Sequence, residues 1–312
     1  MCGNVHACPV CAAKVQERRR LEIAKMFDAA YGGDLGPDKK VIMVTFTFSH
    51  KFGDCLKELL KKQSEAFKLF RAGNVWSKKK GRLGFVGMIR SLEVTYGMNG
   101  WHPHTHEAWV VDKSVDVVSF RDWLAQRWFN MCLKVGLVSE DKKTFFLERS
   151  VKIVDECRAS HYLAKQDDSR NWGADHELSK SMSKAGKSSG VHPFMLLRKY
   201  MEGDERAGQI YLDYVFSMKG KAQVFWSRGL KSKVGITEKS DEGLAEENVD
   251  TADRLATLSK EDWDLVLISE AGSGGTRSAL LEAAEERGTE GIKTFIKNLR
   301  YLYFGDTHWQ LE

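Results

Sequence analysis

The spacing of apolar positions changes several times along the chain, and each change predicts an element. Apolar residues fall at helical spacing from Ala12 to Ala30, and Gly32, Gly33, Gly36 and Pro37 end that pattern. Val41-Ile42-Met43-Val44-Thr45-Phe46-Thr47-Phe48 is dense in apolar and β-branched residues and reads as a central strand. Leu56, Leu59, Leu60, Phe67 and Leu69 return to helical spacing within 54–71, and the basic stretch 77–82 reads as a loop. Strands follow over 83–96 and 104–111, joined by Gly97-Met98-Asn99-Gly100, whose residues suit a hairpin turn. Trp123, Leu124, Trp128, Met131 and Leu133 mark an amphipathic helix over 120–135. Residues 145–154 read as a further strand, 158–165 as the start of a helix, and 171–190 as a mobile polar loop. The pattern is helical over 193–219 and rich in Lys and Gly over 220–235.

These elements predict an α+β fold. Its centre is an antiparallel sheet with flanking helices, preceded by a cysteine-bearing segment and followed by a small appendage. Composition shifts near Thr237: residues 238–253 are strongly acidic and read as a linker, and 255–312 as a small α/β unit. No internal repeat stands out. With 312 residues and 42% hydrophobic positions, the chain can bury a sizeable core. Lys and Arg number 48 against 43 Asp and Glu, a net charge of +5 that permits an anionic partner without requiring one. No apolar run is long enough to span a bilayer, and the start carries no apolar signal core, so a cytoplasmic protein with no membrane partner is expected. Gly272-Ser273-Gly274-Gly275-Thr276 lacks the Gly-Lys-Ser/Thr ending of a phosphate loop, so it reads as a turn and no nucleotide cofactor is expected.

The candidate chemistry concentrates in His102-Pro103-His104-Thr105-His106. Alternate side chains of a strand share a face, so three imidazoles point one way. Glu93 lies across the turn, where antiparallel pairing brings its carboxylate beside them; the competing reading is a charged rim residue. Imidazoles with one carboxylate suit Mg²⁺ or Mn²⁺ acting on phosphate oxygens. Tyr162 and Lys165 are three apart in a helical pattern and share a face, a signal that is weak alone. Cys8-Pro9-Val10-Cys11 is a knuckle that can grip structural Zn²⁺, with Cys2 as a third ligand and His6, or a residue upstream of Met1, as the fourth; free thiols are the alternative. Arg18, Arg19 and Arg20, together with Lys78, Lys79 and Lys80 and the lysines of 184–187, are candidates for DNA phosphate contacts, or else solvated faces. Tyr211 and Tyr214 read as packing.

Taken in order, these features resemble the HUH endonuclease superfamily, in particular the rolling-circle replication initiators of small bacterial plasmids and some phages. The resemblance covers about 2–235. It rests on Thr45-Phe46-Thr47-Phe48-Ser49-His50, then Ser91-Leu92-Glu93-Val94-Thr95-Tyr96 with Gly100-Trp101-His102-Pro103-His104-Thr105-His106. Tyr162-Leu163-Ala164-Lys165 and Trp226-Ser227-Arg228-Gly229-Leu230-Lys231 complete it. It implies that 38–236 is a nicking and joining domain, behind a zinc-knuckle-like segment and basic helix at 1–37 and ahead of a linker at 237–254 and the appendage at 255–312. It further implies that Tyr162 attacks a phosphodiester and keeps the 5′ end, that Lys165 steadies the phenolate, and that His104 and His106, helped by His102 or Glu93, hold the metal. Single-stranded origin DNA is the implied substrate, with a host helicase and polymerase as partners and the bacterial cytoplasm as the setting. Some relatives carry a carboxylate or second tyrosine one turn before the nucleophile; Arg158 stands there, and Glu156 is the substitute candidate for activating water at termination. Transposition or conjugative transfer by the same chemistry, a metal-dependent phosphodiesterase using water, and a non-catalytic zinc-stabilised DNA-binding regulator are the alternatives.

Overall fold

A computed structural model of the chain describes residues 3–158, 190–246, 256–273 and 276–305. They fall into two compact units, 3–158 with 190–246, and 256–305. The larger unit is α+β. Its five-stranded sheet has the order β4-β1-β3-β2-β5, with β1 Lys39–Phe46, β2 Gly87–Gly97, β3 Gly100–Asp112, β4 Val151–Val154 and β5 Val224–Trp226, each neighbouring pair antiparallel. The strand with the histidines is therefore the middle one.

Alternation along these strands divides the core into two layers. Ile42, Val44, Phe46, Met88, Trp109 and Val111 face helices α2 (Leu56–Phe70), α3 (Gly73–Arg82), α4 (Val117–Lys134) and α5 (Lys143–Arg149). Val41, Met43, Ile89, Ala108 and Val110 face the other way and pack on Ile23, Met26 and Phe27 of α1 (Pro9–Gly32). That second face is apolar only at its lower end. Further along the same rows the residues turn polar, to Thr45, Ser91, Glu93, His104 and His106. Burial pins the apolar half, and pairing carries the polar half on the same rigid strands.

The turn between β2 and β3 is as tight as its residues allow. Gly97 pairs with Gly100, leaving Met98 and Asn99 as the loop. Gly100 has φ +78°, a left-handed value that glycine adopts without a Cβ clash.

Several expectations need correction. The basic stretch 77–82 belongs to helix α3, anchored by buried Trp76 and by Lys79 lying over the Phe120 and Trp123 rings. Residues 145–154 are not one strand: α5 runs through Arg149 and only Val151–Val154 pairs with β1. The helical pattern of 193–219 is two helices, α6 (Pro193–Met201) and α7 (Glu205–Ser217), broken where Gly203 takes φ +105°. The acidic stretch is not all linker. After α8 (Leu230–Lys233), residues Asp241–Glu246 form helix α9 against α1, with Leu244 buried beside Val5 and Val15. The expected loop over 171–190 lies almost wholly outside the described residues.

In the smaller unit the described residues are helical rather than α/β: α10 (Lys260–Ser273) and α11 (Thr276–Phe304), the latter kinked at Gly288. Leu265, Val266, Leu280, Ile292, Ile296 and Leu299 form its core. Fully buried Asp262 receives Arg300 Nε at 2.7 Å, a charge pairing that offsets the carboxylate's desolvation.

Candidate functional site

Register assembles the polar half of the sheet face. Glu93 lies directly opposite His104, Ser91 opposite His106, and Thr45 opposite His106 on the other side. Glu93 Oε2 is 3.1 Å from His104 Nε2 and 3.2 Å from His106 Nε2. The potential ligand atoms of Glu93, His104 and His106 all lie within 4.8 Å of one another, the one such group of three among the described residues.

The donor set fits a cation. His104 Nδ1 is 3.3 Å from the His102 carbonyl, which only accepts, so Nδ1 carries the hydrogen and the Nε2 lone pair faces Glu93. His106 Nδ1 meets the Thr45 hydroxyl at 2.9 Å, which holds that ring with Nε2 towards the same carboxylate. Two imidazole lone pairs and a carboxylate converging on one point repel unless a proton or a metal ion lies among them. Outer partners that fix ring orientation are what metal-binding histidines ordinarily carry. Burial pushes the Glu93 carboxyl up, but with protonated His104 and His106 beside it their hydrogen bonds and charge outweigh that, so it stays below the usual carboxylate range.

His102 shares the face but is not in the group. Its Nε2 meets the Thr47 hydroxyl at 2.9 Å, and its ring stacks between His50 and His104, with centroids 4.8 Å apart on each side. Burial, then the neighbouring His104 and His50, push its pKa down to about 4, so it is neutral.

The N-terminal residues are arranged differently from expectation. His6 Nε2 donates to the Lys221 carbonyl at 2.8 Å, and Nδ1 meets the Tyr214 hydroxyl at 3.3 Å. Both nitrogens are engaged inside the protein, so His6 is a core histidine and not a ligand; burial lowers its pKa although the carbonyl raises it. Cys8 precedes α1 and Cys11 is buried in its first turn, while Cys2 lies outside the described residues.

The basic candidates divide. Arg19 is committed internally, to Glu22 at 2.9 Å and Asp241 at 2.7 Å, because α9 folds back over it. Lys79 is occupied by the two aromatic rings, Arg18 and Arg20 are half-buried, and Lys78 and Lys80 are exposed. Lys184–Lys187, Tyr162 and Lys165 lie outside the described residues. Tyr211 and Tyr214 are buried, and burial lifts Tyr211 to about 12 and Tyr214 higher, which suits packing and not nucleophilic attack. Glu156 is exposed in a turn, with the unusual φ of +44°.

Sequence reasoning missed two groups of residues. Thr45 and Thr47 stood only within the strand motif Thr45-Phe46-Thr47-Phe48-Ser49-His50, with no role of their own, although their spacing of two places both hydroxyls on the histidine face. His192 carried no signal. It caps α6, accepting from Phe194 N at 3.2 Å, and lines the same pocket as Glu93 and His106.

A relative from Streptomyces lividans described as "Protein rep" is 25% identical over 340 aligned positions, covering 89% of this chain and 70% of its own length. A relative from Streptomyces cyanogenus described as "Neomycin resistance protein" is 32% identical over 130 positions, covering 34% of this chain; the chain spans 29% of that relative's length. No solved structure matches. Among the described residues no helix is long and apolar enough to cross a membrane. The family model described as "Replication protein" matches residues 1–254, and the chain belongs to that family.

Proposed function

We propose that the chain initiates rolling-circle replication of a plasmid-type molecule by nicking and rejoining one DNA strand through a covalent phosphotyrosine. The observation that carries this is the convergence of Glu93, His104 and His106 on the middle strand of the sheet, in a member of a replication protein family. Glu93, His104 and His106 would hold a divalent cation such as Mg²⁺ or Mn²⁺, which would supply charge neutralisation for the scissile phosphate. The chain's part is orientation. Thr45 and the His102 carbonyl hold the two rings, and Glu93 adds the negative charge that favours a hard cation.

Tyr162 then attacks phosphorus. A bond forms between its phenolic oxygen and phosphorus, the bond to the 3′ oxygen breaks, and that oxygen takes up a proton to become the free 3′-OH. The phenolic proton passes to solvent, and Lys165 steadies the phenolate. Chain reach supports this role. Cys157, buried on the α1 side of the sheet, donates its backbone N–H to the Val41 carbonyl at 2.7 Å. The five residues from there to Tyr162 extend at most about 17 Å. Val41 to Thr45, beside His106, is about 13 Å along β1.

Exposed Lys78 and Lys80, with half-buried Arg18 and Arg20, are basic candidates for DNA phosphates, and a host helicase and polymerase would act on the opened strand. Cys2, Cys8 and Cys11 are proposed to hold structural zinc, and absence of zinc from protein purified without chelator would remove that role. The test of the whole reading is nicking of labelled single-stranded origin DNA with Mn²⁺. A protein–DNA adduct lost in Tyr162→Phe is the expected result. Cleavage without an adduct would replace the tyrosine with activated water, and binding without cleavage would leave a regulator.

A further inference from the structure

Beside His102 lies a cleft of about 420 Å³ that the nicking chemistry does not use. That volume falls in the range of sites holding one small molecule (~300–1,000 Å³). Three features define what it can take. On one wall Phe145 is 56% exposed, and Arg149, one turn later on α5, lays its guanidinium 4.5 Å from the ring centroid. Exposed aromatic rings and guanidinium planes are the surfaces on which unpaired bases stack. At the floor, Ser150 is 3% exposed and its hydroxyl has no hydrogen-bond partner, although buried polar atoms are ordinarily paired. Around the rim Lys142 and Arg149 are cationic, and among the described residues no carboxylate lines the cleft.

The cleft also has a direction. The rings of His50, His102 and His104 form a continuous stack, with centroids 4.8 Å apart at each step, from the cleft wall to the cluster. A strand with a phosphate at the cluster that follows this stack would set its adjoining nucleotide beside the cleft. A base inside a duplex offers no free face to Phe145, so the fit is to single-stranded nucleic acid.

We propose that this cleft holds one unpaired nucleotide of the DNA strand next to the scissile phosphate, with its base on Phe145 and its phosphate met by Lys142 and Arg149. The inference rests on the strand-nicking reading of the cluster, so its test is a binding measurement that needs no cleavage. Fluorescence anisotropy of the full chain in EDTA would use a random-sequence single-stranded oligonucleotide of about a dozen residues, with a duplex of the same length as control. Phe145→Ala is expected to weaken single-strand binding about 5- to 100-fold, leave duplex binding unchanged, and be rescued by Phe145→Tyr. Arg149→Gln should lower the slope of log affinity against log salt by about 0.7. Equal single-strand affinities for wild type and Phe145→Ala would overturn the proposal, and so would equal losses for single strand and duplex. Tight, Phe145-dependent binding without nicking would support the cleft and sink the nicking reading. Normal nicking with Phe145-independent binding would do the reverse.

Discussion

Glu93 is held by two imidazoles, and each imidazole is aimed by a second oxygen, so single atoms decide whether the cluster can bind a cation. Thr45→Val keeps the β-branched shape but loses the hydroxyl that orients His106. We expect Mn²⁺ affinity, measured by titration calorimetry, to fall about 10- to 100-fold, with Thr45→Ser near wild type. Glu93→Gln removes the one negative donor of the group among the described residues and should lose more than Thr45→Val in the same titration. His192 gives a pH prediction. Burial lowers its pKa to about 4, so the folded state favours the neutral ring. Its contribution to stability is complete above the unfolded value of about 6.5 and is lost as pH falls from there towards 4. His192→Asn keeps a capping side chain on α6 without the titration, and should make urea stability fall less steeply over that interval. His6, whose pKa burial also lowers, keeps the slope from vanishing. The histidine strand was legible because strand period and ligand chemistry coincide there. The roles of Thr45 and His192 were not: Thr45 stood within a strand motif whose pattern does not single out its hydroxyl, and His192 acts through a contact distant in sequence.

At the scale of elements, β3 is fixed from behind by a charge pair. Glu107 is fully buried on the opposite face from the histidines, receives Arg71 at 2.6 Å, and accepts from Trp109 Nε1 at 2.8 Å. Arg71→Ala leaves that carboxylate uncompensated and should cost roughly 3–5 kcal/mol in urea unfolding. The β2–β3 turn gives a second prediction. Gly100→Ala forces a side chain into φ +78°, with its Cβ 3.3 Å from the Lys51 carbonyl oxygen, and should cost on the order of 1–2 kcal/mol. The hairpin was legible because its turn residues and alternation agree. Residues 145–154 were not, because Phe145-Phe146-Leu147 is a short apolar run whose period fits strand or helix equally. Helix α3 escaped notice because its only buried side chain is Trp76, leaving no apolar stripe to read.

For the larger unit as a whole, the α+β class and the central antiparallel sheet followed from the order of periods. The role of the acidic stretch did not, since charge alone gives no hint that α9 returns to α1. Arg19 joins Glu22 and Asp241, Lys231 joins Glu22 and Glu238, and Leu244 covers Val5 and Val15. Leu244→Ala should destabilise the unit by about 2 kcal/mol, read by urea unfolding. The clasp also sets a timetable. Arg19 and Asp241 are 222 residues apart, so at about 5–20 residues per second a ribosome delivers the second some ten to forty-five seconds after the first. A hairpin such as β2–β3 closes within microseconds of its release. Glu93 and His104 therefore meet while the chain is still being made, and the first helix waits for α9 to secure it.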